Sequence, residues 1–220
     1  MRTVVFDLDG TLADTSGDLL AAANAVFTGL GHGAVLNGGD VLVAFQGGRA
    51  MLRLGFERLG RPADDVQIDL LYPVLLTAYA GAIDVHTRLY PGAVMAVQRL
   101  LDAGYATAIC TNKPEALAET LLQRLGVRHL FGAMIGADTL ATRKPDAAPY
   151  VAAVTRAGGK VGQSVLIGDT ETDRLTASAA GVPVVLVTFG PEGGGVSRLA
   201  PEGLLDHFDD LDAVVARLIG

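Results

Sequence analysis

Apolar positions along the chain fall into two textures. In the first, short apolar runs rich in β-branched residues alternate with helical stretches. Val4-Val5-Phe6, Tyr105–Cys110, Phe131–Ile135, Val165-Leu166-Ile167 and Val182–Val187 have the length and composition of buried strands. Between them, apolar residues recur at helical spacing over Pro114–Leu125, Ala147–Ala157 and Asp173–Ala180, closed by Gly126, Gly158-Gly159 and Gly181. Pro91 suits the first turn of a helix through Val94, Val97, Leu100 and Leu101, and Leu211–Ile219 reads as a final helix. Pro183 requires an early or edge position in its strand. Gly190–Gly203 reads as a loop with no functional signal.

The second texture is purely helical. Asp14-Thr15-Ser16 can cap a helix through Leu19–Leu30, and from about Gly38 to Ile83 only helical spacing recurs. Repeated βα units predict an α/β fold, a Rossmann-like doubly wound parallel sheet. The helical block after the first strand predicts an inserted all-helical domain. The expected division is 1–13 with 87–220 as the core and 14–86 as the insertion.

Open parallel sheets bind ligands beyond the C-terminal ends of their strands. There the chain places Asp7, Asp9, Gly10 and Thr11; then Thr111, Asn112 and Lys113; then Lys144-Pro145-Asp146; then Gly168-Asp169 and Asp173. Asp7 and Asp9 share one side of an extended chain and repel each other unless a cation or proton lies between them. Each residue has a plainer reading. Asp169 can begin a turn, Asp173 and Glu171 can be first-turn helix acids, Thr111 and Asn112 can be caps, and Lys113 reads as an exposed lysine. Lys144 stands out because only Lys113 and Lys160 accompany it in the chain, where Arg carries most positive charge.

Composition narrows the partners. The formal charge is −7 without a basic run, which argues against nucleic acid. No apolar run approaches the roughly twenty residues of a membrane span, and the N-terminus does not read as a signal peptide. The single Cys110 fits a cytoplasmic protein and reads as a buried, inert thiol. The four histidines are scattered without metal-ligand spacing.

With these residues in view, the chain resembles the haloacid dehalogenase superfamily of phosphohydrolases over its whole length. Asp7-Leu8-Asp9-Gly10-Thr11, Thr111-Asn112, Lys144-Pro145 and Gly168-Asp169 with Asp173 match its four motifs in order. The insertion falls where the type-one helical cap of that superfamily would. Insertion length, Tyr90-Pro91-Gly92 and Thr111-Asn112-Lys113 look like the phosphoglycolate phosphatase subgroup. The resemblance implies a Mg²⁺-dependent phosphatase acting on a small phosphorylated metabolite, as a monomer or homodimer. Asp7 would be the nucleophile, and Asp9 would act as acid and base. Asp7, Asp169 and the backbone carbonyl of Asp9 would hold the metal, with Asp173 outside them, orienting Lys144 or a coordinated water. Thr111, Asn112 and Lys144 would hold the phosphoryl group. In the insertion, Phe45-Gln46-Gly47-Gly48-Arg49 can reach substrate as part of a lid; Arg49 reads equally as a substrate clamp or as a solvated side chain. Asp9 argues against a dehalogenase, and the absence of Lys from residues 14–86 argues against a Schiff-base phosphonate hydrolase. A sugar-phosphate mutase shares all the core motifs and stays open as the alternative. A non-catalytic protein on the same fold would be expected to lose Asp7, Asp9 or Lys144.

Overall fold

The computed structural model describes all 220 residues, Met1–Gly220. Backbone proximity divides it into one unit made of Met1–Asp14 with Leu89–Gly220 and a second made of Thr15–Arg88.

The first unit is built on a six-stranded sheet. Its strands are β1 (Thr3–Phe6), β2 (Ala106–Cys110), β3 (Ala133–Ile135), β4 (Ser164–Gly168), β5 (Val184–Val187) and β6 (Gly203–Leu205). Their order is β3-β2-β1-β4-β5-β6, and every pairing is parallel. Strand order thus reverses at β1, with β2 on one side and β4 on the other, which opens the crevice used by such sheets for ligands. Parallel strands linked by helices are covered on both faces and must be apolar throughout. Accordingly Val4, Val5 and Phe6 are all inaccessible to solvent. One face packs Val5, Cys110, Ile135, Leu166 and Leu186 against Tyr150, Val154 and Ala177 of helices α7 (Ala147–Arg156) and α8 (Glu171–Ala180). Helices α5 (Ala93–Asp102) and α9 (Leu211–Ile219) pack on each other and on the sheet. Helix α6 (Glu115–Arg124) follows β2.

Two features differ from the sequence reading. Pro183 precedes β5 rather than lying in it, and its carbonyl accepts a hydrogen bond from Leu166 N–H (3.1 Å). The stretch Gly190–Gly203, expected to be a plain loop, holds a 3-10 segment, Gly193–Leu199, and β6 begins at its last residue. Three residues of sequence Gly-Leu-Leu are too few to show alternation. The free edge of β5 supplies their partner.

The second unit is all helical: α1 (Ser16–Gly29), α2 (Val41–Phe45), α3 (Gly48–Arg58) and α4 (Asp65–Gly81). Phe27 of α1 meets Phe56 of α3 edge-on, with ring centres 5.3 Å apart. Gly55 makes room for it, since a Cβ there would lie 2.1 Å from the Phe27 ring. Asp18 is buried at the start of α1 and accepts hydrogen bonds from His86 N–H, Thr87 N–H and Thr87 Oγ1, which ties both ends of the unit together. No helix of the protein is long and apolar enough to cross a membrane.

Candidate active site

Sheet register alone brings the motifs level. Phe6 lies opposite both Ile109 and Ile167. Asp7 is therefore the first residue beyond β1, as Thr111 is beyond β2 and Asp169 beyond β4. Backbone bonds fix the first two: Asp7 N–H donates to Ile167 O, and Thr111 N–H to Ile135 O, each at 2.9 Å.

Three carboxylates converge at this edge. One oxygen from each of Asp7, Asp169 and Asp173 falls within 4.8 Å of the others. All three side chains are buried, and the ammonium of Lys144 sits among them, 3.1 Å from Asp7 Oδ1 and 2.7 Å from Asp173 Oδ1. The side chain of Asn112 donates to the carbonyl of Lys144 (3.0 Å) and so anchors the loop that delivers the lysine.

Each acid is held differently. Asp7 Oδ1 accepts from Leu8 N–H at 2.7 Å. Asp169 Oδ1 accepts from Thr11 Oγ1 at 2.9 Å, but its Oδ2 is buried without any hydrogen-bond partner. Asp173 Oδ2 gathers Asp169 N–H, Thr170 N–H and Thr170 Oγ1 at the start of α8. The helix-cap reading and the site reading of Asp173 therefore both hold: one oxygen caps, the other faces Lys144. Gly168 permits this closeness, since a Cβ there would lie 2.4 Å from Asp173 Cβ.

Electrostatics follow from that crowding. Burial raises the Asp7 pKa from 3.8 to about 6; Lys144 opposes the rise, while Asp173 and Asp9 add to it. Burial likewise pushes Asp169 well above the ordinary carboxylate range, helped by Asp173 and Asp7. For Lys144, burial works against the charge, but Asp173 and Asp7 outweigh it and hold the ammonium above the ordinary lysine range. Burial pushes the Cys110 thiol up to about 12, which keeps it inert as a nucleophile.

A divalent cation fits this donor set. Three acids face one ammonium, and a buried carboxylate oxygen without a partner costs free energy that a cation would recover. Oxygen-only donors suit a hard ion such as Mg²⁺. Space is kept at the same oxygen: Gly10 has φ +82°, and a Cβ on it would lie 2.3 Å from Asp169 Oδ2. Gly190 closes the other side, where a Cβ would come 2.8 Å from Gly10 O and 3.2 Å from Asp169 Cβ.

The remaining residues divide. Thr111 is buried at the end of β2, and its Oγ1 accepts from Lys113 N–H (3.2 Å). The carboxylate of Asp9 is not one of the three in the acid cluster; both its oxygens lie 2.8 Å from Lys113 Nζ. Lys113 is not the exposed lysine expected from the sequence: it is buried. Its partner lies more than a hundred residues away in sequence, so no local pattern announces it. Arg49 belongs to the second unit. There its guanidinium pairs with Asp69 and lies over the Tyr72 ring, 4.4 Å from the centroid.

Comparison with known proteins agrees with this geometry. The family model of the haloacid dehalogenase-like hydrolases matches residues 4–187. The chain belongs to that family. A phosphoglycolate phosphatase of Mesorhizobium japonicum is 40% identical over 217 residues, covering 98% of this chain and 96% of the relative. One from Agrobacterium fabrum is 37% identical over 204 residues, covering 93% and 88%. Among solved structures, a predicted phosphoglycolate phosphatase from Haemophilus somnus superposes with a TM-score of 0.83 at 25% identity, covering 97% of each chain. A predicted phosphatase from Clostridium acetobutylicum shares the fold, with a TM-score of 0.82 at 20% identity and 99% coverage of each. Within the family, this chain is a phosphatase with a Rossmann-like core.

Proposed function

We propose that this haloacid dehalogenase-like phosphatase hydrolyses a small aliphatic phosphate monoester with Mg²⁺ as cofactor, 2-phosphoglycolate being the first substrate to test. The observation that carries the reading is the buried cluster of Asp7, Asp169 and Asp173 around Lys144, with Asp169 Oδ2 left without a partner. The substrate follows the name shared by relatives that align along nearly the whole chain.

Asp7 and Asp169 would hold the ion, together with the backbone carbonyl of Asp9. Bound there, Mg²⁺ offsets the mutual repulsion of carboxylate and phosphate dianion. Asp7, set by Leu8 N–H and Lys144, presents a carboxylate oxygen to phosphorus and becomes an aspartyl-phosphate. Lys144 and Thr111 hold the phosphoryl oxygens, and donors arranged beforehand favour the charge that develops in the transition state. Asn112 serves through the Lys144 carbonyl it anchors. Asp9 protonates the leaving oxygen and then takes a proton from the attacking water. Asp173 keeps Lys144 in place.

The experiment is phosphate release from a panel of phosphorylated metabolites at millimolar Mg²⁺, with the native chain and Asp7→Asn side by side. The proposal expects free phosphate from 2-phosphoglycolate or a related ester, and none with Asp7→Asn. Isomerised sugar phosphate without phosphate release would instead establish a mutase.

A further inference from the structure

The chain uses three lysines, and two of them are buried beside the first motif. Lys144 meets Asp7, and Lys113 meets Asp9. The second pair lies outside the acid cluster and needs its own explanation. Burying an ammonium costs several kcal/mol unless it is paired, and ordering a lysine stem costs up to about 2 kcal/mol more. Against these costs Lys113 makes a close two-oxygen contact: Nζ is 2.8 Å from each oxygen of Asp9. Its backbone is pinned at both ends, N–H to Thr111 Oγ1 (3.2 Å) and carbonyl from Ala137 N–H (2.9 Å). The lysine side chain is 3% exposed, and that of Asp9 is 20% exposed. The ammonium therefore sits behind a carboxylate that keeps an open edge.

We propose that Lys113 is the positioning residue for Asp9, holding its carboxylate in the one orientation that serves proton transfer to the leaving group and from water. This rests on the phosphatase reading above. In the first half-reaction the bond from Asp7 to phosphorus forms as the ester P–O bond breaks. The departing oxygen keeps that bond's electron pair and takes the proton of the Asp9 carboxyl group. In the second, water oxygen bonds phosphorus and the Asp7–phosphorus bond breaks, its pair returning to Asp7. Asp9 takes the proton from that water and is restored. Lys113 keeps its own proton throughout and touches neither the ester nor the phosphoryl group.

In the first half-reaction a misdirected Asp9 harms only leaving groups that need a proton. An aliphatic alkoxide does, and p-nitrophenolate does not. The test is kcat/KM, which reports the steps up to leaving-group departure, for 2-phosphoglycolate and p-nitrophenyl phosphate. It is measured on the native chain, Lys113→Met, Lys113→Arg, Asp9→Asn and the Lys113→Met/Asp9→Asn double variant, with folding checked by circular dichroism. Positioning of an acid–base group predicts a loss of about 100-fold for the aliphatic ester with Lys113→Met, and less than about threefold for the aryl ester. Lys113→Arg keeps the charge with different reach and should fall between native and Lys113→Met. The double variant should match Asp9→Asn alone, because residues that act as a unit are not additive. Equal losses on both esters in every folded Lys113 variant, or additive losses in the double variant, overturn the proposal and leave the phosphatase reading standing. A native chain that cleaves only the aryl ester contradicts proton delivery by Asp9, and Lys113's role with it. One that cleaves neither ester overturns both readings.

Discussion

The ammonium of Lys144 lies 2.7 Å from Asp173 Oδ1, and both side chains are buried. A lysine shut away from water keeps its charge only through such partners, and here it also reaches Asp7 at 3.1 Å. The pair is thus both a structural tie between the Lys144 loop and α8 and the counter-charge of the acid cluster.

Removing one member leaves the others uncompensated. Lys144→Met should lower stability by about 3–5 kcal/mol, the usual cost of breaking a buried pair, unless a divalent ion is supplied. It should also cut phosphate release by at least about 100-fold, as loss of a donor to the transition state does. Urea unfolding with and without Mg²⁺, beside a phosphate assay, checks both. Native-like stability in Lys144→Met without metal would show that the pair carries no such load.

The pH dependence of the metal-free protein follows from Asp7. Its pKa is raised from 3.8 to about 6 in the folded state. Below about 4 the group is protonated in folded and unfolded chains alike, so it does not affect the balance. As pH rises through that window the unfolded chain ionises first, and stability falls. Above about 6 the loss is complete, on the order of 3 kcal/mol. Asp169, raised in the same direction, acts with the same sign. Denaturation in chelator at steps from pH 4 to 8 should show native stability falling relative to Asp7→Asn across the window. A difference that grows in favour of the native chain as pH rises would reverse the sign and contradict this electrostatic account.

Gly10 tests the cradle around Asp169. Its φ is +82°, and a Cβ would come 2.3 Å from Asp169 Oδ2. Gly10→Ala should cost about 1–2 kcal/mol from backbone conformation alone. It should also reduce the rise in melting temperature that Mg²⁺ produces in the native chain. A variant whose melting temperature responds to Mg²⁺ as the native chain does would show that the space beside Asp169 Oδ2 is not where the ion sits.

Sequence and structure part company where a residue's role depends on a distant partner. The strands β1, β2 and β4 were legible because Val4-Val5-Phe6, Ala106–Cys110 and Val165-Leu166-Ile167 are buried on both faces, and parallel sheets need unbroken apolar runs. The sixth strand was not, since its pairing comes from the edge of β5 and not from its own composition. Asp173 is legible both as a helix-start acid from its place in α8 and, through the motif resemblance, as a residue orienting Lys144, and the two side chains do meet. Lys113 is hidden for the same reason as the sixth strand: a lone lysine after Thr-Asn has the composition of a surface turn, and the ion pair with Asp9, beyond the neighbouring strand, helps make its burial tolerable.

The central claim is that Asp7 accepts the phosphoryl group. Acid quenching during turnover of 2-phosphoglycolate with Mg²⁺, followed by peptide mass spectrometry, tests it directly. The account predicts a transient phosphoryl adduct on the N-terminal peptide at Asp7, with no adduct and at least about a thousand-fold less phosphate release in Asp7→Asn. Phosphate release that persists in Asp7→Asn, or an adduct on any other residue, would contradict it.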